Sequence, residues 1–229
     1  MTVNITAWEG DILPKVPLVP HPAFLKAVGD AAIEFCEETL SWKEWLSAID
    51  VVASDRDYTL SLPAGVAAYA QIEKVRRVLF KENGADNSQF APLHPATEGE
   101  MDADLGIGWQ FQTGASLSRF LLDEDDPTML LLYPIPENAS AGGLLVQIYA
   151  KPMETATVVP DFLFKRYRKA ITNGALANLF GETAMPWANP QLQSYYADLF
   201  SNDCDNATVR AVKGPIEKAD SVQFRRNWI

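Results

Sequence analysis

Val158-Val159-Pro160-Asp161-Phe162-Leu163-Phe164 opens the stretch that decides the fold, which runs on through Tyr167, Ile171 and Gly174-Ala175-Leu176-Ala177 to Leu179. Leu163, Tyr167, Ala170, Ile171, Gly174, Ala175 and Leu179 recur at helical spacing. They predict a helix starting at Val158–Asp161, with a narrow stripe of small residues suited to close helix packing. Gly181 can stop it. Asn189-Pro190 is then a strong start signal, with Asn as N-cap and Pro at the first helical position. Leu192, Tyr195, Tyr196, Leu199 and Phe200 form the apolar side of that second helix. After Gly214-Pro215 the helix cannot easily continue, so Ile216 to Ile229 is expected to be extended.

Far upstream, another helix should begin near Pro22. Phe24, Val28, Ala31, Phe35 and Thr39 form its stripe, and Lys26, Asp30, Glu34 and Glu38 lie mostly off it. Before it, Pro14-Lys15-Val16-Pro17-Leu18-Val19-Pro20-His21-Pro22 carries too many prolines for a helix or central strand. It should be an extended, partly polyproline arm packed on the body. Ser41-Trp42-Lys43-Glu44 could open a helix as a capping box, but Trp45, Ser47, Ile49 and Val51 alternate as in a strand. The strand is preferred, because Asp55 to Leu62 then follows with Tyr58, Leu60 and Leu62 on one face. Ile72 to Phe80, Leu117 to Leu122, Thr128 to Tyr133 and Gly143 to Ala150 read as further strands. The break at Pro134-Ile135-Pro136 predicts that the last two are antiparallel neighbours. Polar, glycine-rich Asn83 to Gly108 should be a long excursion.

The expected fold is therefore α+β: a helical bundle with an inserted antiparallel β module and an extended C-terminal tail. Residues 1–40 would form the arm and first bundle helix, 41–157 the β module, 158–213 the C-terminal bundle helices and 214–229 the tail.

Composition narrows the function. The 229 residues are 48% hydrophobic and 21% charged, ordinary for a globular chain long enough to bury a core without disulfides or metals. No run approaches about eighteen apolar residues, so no membrane span is expected. Met1-Thr2-Val3-Asn4-Ile5 has no basic stretch leading an apolar one, so no secretory signal is expected either. Cys36 and Cys204 lie far apart and are read as reduced core thiols. With 19 basic and 30 acidic residues the net charge is −11. That is unsuited to gripping phosphates over a broad surface, but compatible with standing beside DNA without sticking to it. The charge is uneven. From Thr97 to Asp126 there are eight acids (Glu98, Glu100, Asp102, Asp104, Asp123, Glu124, Asp125, Asp126) against Arg119, a balance of −7. From Asp205 to Ile229, five bases meet three acids, a balance of +2.

Enzyme signatures are weak. Gly114-Ala115-Ser116-Leu117-Ser118 lacks the second glycine of a nucleophile elbow. A triad would need His21 or His94, both flanked by prolines. Gly106-Ile107-Gly108 matches only the start of a dinucleotide fingerprint. Asp102 and Asp104 lack the closing Glu of a calcium loop, and Asp123-Glu124-Asp125-Asp126 before Pro127 reads as a solvated hairpin turn. Two cysteines and two histidines without paired spacing make no recognisable zinc site. No cofactor is expected. The ending Val222-Gln223-Phe224-Arg225-Arg226-Asn227-Trp228-Ile229 is instead rich in residue types that anchor interfaces, and reads as a docking peptide.

Taken in order, several stretches resemble the head-to-tail adaptor family of tailed bacteriophages. They are Trp8…Pro14…Pro17, Ala31-Ala32-Ile33-Glu34-Phe35-Cys36-Glu37-Glu38-Thr39, and Trp42 with Asp50 and Tyr58-Thr59-Leu60-Ser61-Leu62-Pro63. Leu130-Leu131-Leu132-Tyr133-Pro134-Ile135-Pro136, Leu144 to Pro152, Val159 to Phe164 and Pro186-Trp187-Ala188-Asn189-Pro190 follow. The match spans about residues 8 to 205 and is weakest over Lys81 to Gly114 and the last twenty residues. The resemblance implies a structural virion protein without catalytic residues, forming a ring, usually of about twelve copies, at the neck between head and tail. Its partners would be the portal protein, a tail tube or nozzle protein and further copies of itself, after assembly in the host cytoplasm. DNA would pass through without specific binding, and no membrane would be involved. Phe224, Arg225, Arg226, Asn227, Trp228 and Ile229 would dock on the portal. Asp102, Asp104, Asp123, Glu124, Asp125 and Asp126 would supply acidic surface toward the channel or tail. The alternatives are another connector, such as a tail-terminator or stopper, and a small soluble enzyme.

Overall fold

The computed structural model describes residues 1–82, 89–123, 126–183 and 185–213. Strand β1 (Thr2–Asn4), a 3-10 turn over Ile5–Trp8 and the short helix α1 (Glu9–Ile12) form the N-terminal arm, and helix α2 (His21–Thr39) follows. Then come β2 (Lys43–Trp45), β3 (Ile49–Val51), β4 (Asp57–Thr59), the single helical turn α3 (Ala64–Ala67) and the long strand β5 (Ala70–Phe80). Next are β6 (Ala91–Pro92), β7 (His94–Pro95), helix α4 (Glu98–Leu105), a 3-10 turn over Ile107–Phe111 and β8 (Thr113–Gly114). Strands β9 (Arg119–Leu122), β10 (Met129–Tyr133), β11 (Ile135–Pro136), β12 (Ser140–Pro152) and β13 (Val158–Pro160) lead into α5 (Asp161–Gly181) and α6 (Pro190–Lys213). The fold is α+β.

Helix α2 forms as its stripe requires: Phe24, Val28, Ala31, Phe35 and Thr39 are all buried. Leu40, at φ 48°, ends it in the left-handed region, with its amide on the Cys36 carbonyl, and turns the chain toward the sheet. Helix α5 starts at Asp161, later than the sequence predicts, because Val158–Pro160 pairs with β1 as a strand. Its buried surface is also wider than a narrow stripe. Every residue from Ala170 to Ala177 is buried, as are Leu179 and Phe180. Two helices, α2 and α6, and the arm cover it. From the arm, Trp8 packs edge-on against Phe164 at 4.9 Å and donates its indole N–H to the Arg168 carbonyl.

Helix α6 begins where Asn189-Pro190 predicts, with the Asn189 carboxamide oxygen accepting from the Gln191 and Leu192 amides. Phe200, Cys204 and Ala207 are its buried anchors. Leu192 and Tyr195, expected on its buried side, are exposed.

The Pro14–Pro22 segment is not extended. Hydrogen bonds donated by the Lys15 and Val16 amides to the Ile12 carbonyl, and by the Val19 amide to the Val16 carbonyl, fold it into turns. It packs on the body through Val16 and Val19, because turns bring those two apolar side chains to one side.

Two sheets hold most of the strands. One has the order β2-β12-β5-β6, with β3 also on β12; the other is β4-β10-β9-β7. Strands β10 and β12 are thus in different sheets, not antiparallel neighbours. Between them Ile135-Pro136 pairs in parallel with Thr113-Gly114, which carries the chain out of one sheet before it enters the other. Asp55–Leu62 yields only the short strand β4, although Tyr58 and Leu60 are buried as expected. The supposed excursion over 83–108 contains β6, β7 and α4. Thr97 and Glu100 close a capping box on α4, a signal legible as Thr-x-x-Glu. Buried residues on β5 are Ala70, Val75, Val78 and Phe80. Their spacing departs from strict alternation because β5 bulges twice against β12, at Glu73 and at Arg76.

Lys151 on β12 joins sheet to helix, with its ammonium 2.5 Å from Glu37 of α2 and 2.7 Å from Glu73. Burial works against its charge, but the hydrogen bonds to Glu37 and Glu73 outweigh that and raise its pKa.

Two outcomes follow from this packing. A Cβ on Gly174 would stand 3.0 Å from the Ala31 methyl and from the Phe200 ring. Gly174→Leu should therefore lower stability by about 1–3 kcal/mol or more, or abolish folding; urea unfolding measures it, and unchanged stability would contradict the close approach. Lys151→Met should cost about 1–3 kcal/mol at neutral pH by leaving two carboxylates without their cation. Because the folded pKa is raised above 10.5, the contribution is complete below that value and fades as pH rises through the folded pKa. The wild-type advantage should accordingly shrink in unfolding curves taken above pH 10.5.

Candidate functional site: a cationic sheet face and an acidic apolar tip

Cross-strand register assembles one surface. Trp45 on β2 and Arg77 on β5 both sit opposite Gln147 on β12, while Lys43 and Lys74 both sit opposite Tyr149. Directly opposed residues share a face, and so do residues two apart on one strand. Trp45, Lys43, Tyr149, Lys74 and Arg77 therefore lie together around Gln147, on the face opposite the fully buried Val146 and Ile148. The bulge adds Arg76. Its guanidinium donates to Gln147 Oε1 at 2.6 Å, the same oxygen that accepts from Arg77 Nε at 3.0 Å. Arg77 also stacks its guanidinium over the Trp45 ring, 4.8 Å from the centroid.

This face is positive in a chain of net charge −11. Among the described residues, none of Lys43, Lys74, Arg76 and Arg77 is in an ion pair. Lys151, of the same strand parity as Gln147 and Tyr149, differs in having its two carboxylates. Burial and then the nearby Arg76 charge lower the Lys43 pKa, and the Lys43 ammonium donates to the Ala211 carbonyl at 2.7 Å. A lysine is favourable at a helix C-terminus, so this contact fastens the end of α6 beside the cationic face. The spacing within residues 72–80 reads as a strand but gives no sign of its two bulges, so the cluster is missed from sequence. The signal available was the pair Arg76-Arg77 in a strand of an acidic chain.

The acidic residues singled out from the sequence fall into two places. Asp102 and Asp104 are on α4. Asp102 accepts from the Trp109 indole at 2.8 Å, and Asp104 pairs with Arg119 at 2.9 Å. Asp123 and Asp126 are in the turn between β9 and β10, where Asp126 accepts from the Thr128 amide and hydroxyl. These hydrogen bonds from Thr128 lower the Asp126 pKa. Arg119 begins β9 and the turn lies beyond its far end, about 10 Å away at the rise of an extended strand. The two acidic groups are therefore not brought together. Glu124 and Asp125 lie outside the described residues, as do Phe224, Arg225, Arg226, Asn227, Trp228 and Ile229.

Around α4 the structure shows a tip that combines charge with exposed apolar surface. Met101, Trp109 and Leu121 form a small core separate from the main one. Trp109 is pinned by Asp102 and packs edge-on to Tyr133 at 6.0 Å. On either side of it, Ile107 is 85% exposed and Phe111 82%. Exposed Glu98 and Asp102 stand on the adjoining helix.

Elsewhere there is less chemistry. His21 bonds Glu9 at 3.1 Å. A cleft of about 400 Å³ between α2, α5 and α6 is lined by Glu34, Glu38, Asn178, Gln193 and Phe200. Burial and the neighbouring Glu38, Glu37 and Asp30 charges raise the Glu34 pKa. Among the described residues no group of three His, Cys, Asp or Glu side chains could hold a metal ion. No helix among them is long and apolar enough to cross a membrane. Cys36 and Cys204 are free and buried, and burial pushes both thiols up.

Because the tip has its own core, Trp109→Ala should open it without unfolding the body. Limited proteolysis is expected to cut within residues 98–112 while the main thermal transition moves little. A large fall in that transition instead would mean that the tip and body are one cooperative unit.

No protein-family model matches the chain, and neither does any curated protein.

Proposed function

We propose that this chain is a head-to-tail adaptor of a tailed bacteriophage, a non-enzymatic virion protein. Its copies form a ring, of about twelve, that joins the portal to the tail tube or nozzle and surrounds part of the DNA channel. The observation that carries this reading is the way the flanks of the sequence resemblance meet. Helix α2 precedes the sheets and α5 and α6 follow them, yet α5 packs against both. Residues 41–157 then leave and rejoin this helical unit, which we read as a bundle with a β insertion, the architecture that the resemblance implies.

Charge supports the same reading. About twelve copies of a chain of −11 carry roughly −130 in all, and an acidic lumen repels the DNA backbone and lets it slide. We place part of the Thr97–Asp126 acidic stretch toward the channel or the tail-side opening, with the β9–β10 turn and its Asp123 and Asp126 as the candidate. The segment after α6, carrying Phe224, Arg225, Arg226, Asn227, Trp228 and Ile229, is the proposed portal anchor. Helix α6, which precedes it, ends at Lys213, two residues after the Ala211 carbonyl that Lys43 fastens.

Sedimentation of the chain with isolated portal rings tests this. Full-length protein should co-sediment, and a version ending at Gly214 should not. Binding that survives truncation would keep the adaptor and remove the anchor role from the last residues. Absence of binding by either form would favour a stopper or tail-terminator, which contacts the tube instead.

A further inference from the structure

The described residues present two surfaces of opposite character. One, on the β2-β12-β5 sheet, presents four cations that have no carboxylate partner among the described residues, around Trp45, Tyr149 and Gln147. The other, at the α4 tip, presents carboxylates beside two apolar side chains that are almost fully exposed. We propose that the tip of one copy docks on the cationic sheet face of the next, so that Ile107 and Phe111 lie against Trp45 and Tyr149 while Glu98 and Asp102 face Arg76, Arg77 and Lys74. This deepens the adaptor reading and rests on it for the ring.

Three observations select a second copy as the occupant. First, the charges are complementary. Cations arranged around aromatic rings meet acids arranged around apolar side chains, so both the electrostatic and the apolar parts of the contact find a counterpart. Second, the tip is a helix and 3-10 turn packed on β9 and β10, whereas the cationic face belongs to the β2-β12-β5 sheet, and among the described residues no ion pair links the two. A contact between different patches is heterologous: it repeats from copy to copy, the kind of contact from which a ring of identical subunits is built when the rotation between copies closes. Third, the segment that follows α6 matches this face less well: it carries Lys218, Arg225 and Arg226 against Glu217 and Asp220, a balance of +1, and so brings no net negative charge to the four cations. Gln147 suits the role of a fixed centre: it is 7% exposed and holds both arginines through one oxygen, which limits their freedom before docking.

The test uses the absence of competing thiols on the surface, since Cys36 and Cys204 are both buried. A full-length chain carrying Trp45→Cys and Phe111→Cys is treated with a short bis-maleimide, alone and on portal rings. Each copy then has one thiol for either neighbour, so a ladder beyond dimers is expected from the double variant and from neither single variant. In parallel, Arg76→Glu with Arg77→Glu should weaken self-association roughly tenfold or more, with the melting curve used to check the fold. Multimers that form without the ladder and are indifferent to that charge reversal would overturn this contact and leave the ring reading standing. A chain that stays monomeric both alone and on portal would overturn the ring reading, and this contact with it.

Discussion

The burial of α5 is the constraint on which the rest of the structure depends. From Ala170 to Ala177 no position faces solvent, so this helix must be covered on every side. Gly174 sets how closely the cover comes, with Ala31 of α2 and Phe200 of α6 meeting where its side chain would be. The N-terminal arm closes the remainder through Trp8, and β1 pairs with β13 immediately before the helix starts. A chain that leaves α2 for a large set of strands must therefore return to within packing distance of Ala31. That requirement fixes where the β region begins and ends.

The sheet solves a second problem by bulging. Strand β12 alternates regularly, with Leu144, Val146, Ile148 and Ala150 buried, but β5 has two residues too many for the same span. Each bulge hands one residue to a special task. Glu73 reaches Lys151 and, through it, Glu37 on α2. Arg76 joins Arg77 on Gln147. One extra residue thus ties the sheet to the helices, and the other doubles the positive charge at a single acceptor. The acids are divided in the same manner. Asp102 and Asp104 hold the tip together, whereas Asp126 orders the turn at the other end of β9. On the adaptor reading, this division gives separate surfaces to neighbouring copies and to the DNA channel.

The sequence by itself determined the elements whose signal is local. Proline at the first turn and the Phe24–Thr39 stripe marked α2, Asn189-Pro190 marked the start of α6, and the alternation of Trp45, Ile49 and Val51 favoured strand over helix. The α4 capping box was legible as well, although composition argued for a loop there. Only the tertiary structure decided which strands pair. Sequential runs such as Met129–Tyr133 and Ser140–Pro152 look like a hairpin until Ile135-Pro136 is seen pairing with Thr113-Gly114. It also decided that α5 is buried all round from Ala170 to Ala177, since a stripe records one packed face and not how many neighbours arrive. The cationic face was hidden for a related reason. Register across three strands and a one-residue bulge place Lys43, Lys74, Arg76 and Arg77 together, and neither register nor bulge is written in the spacing of any one strand.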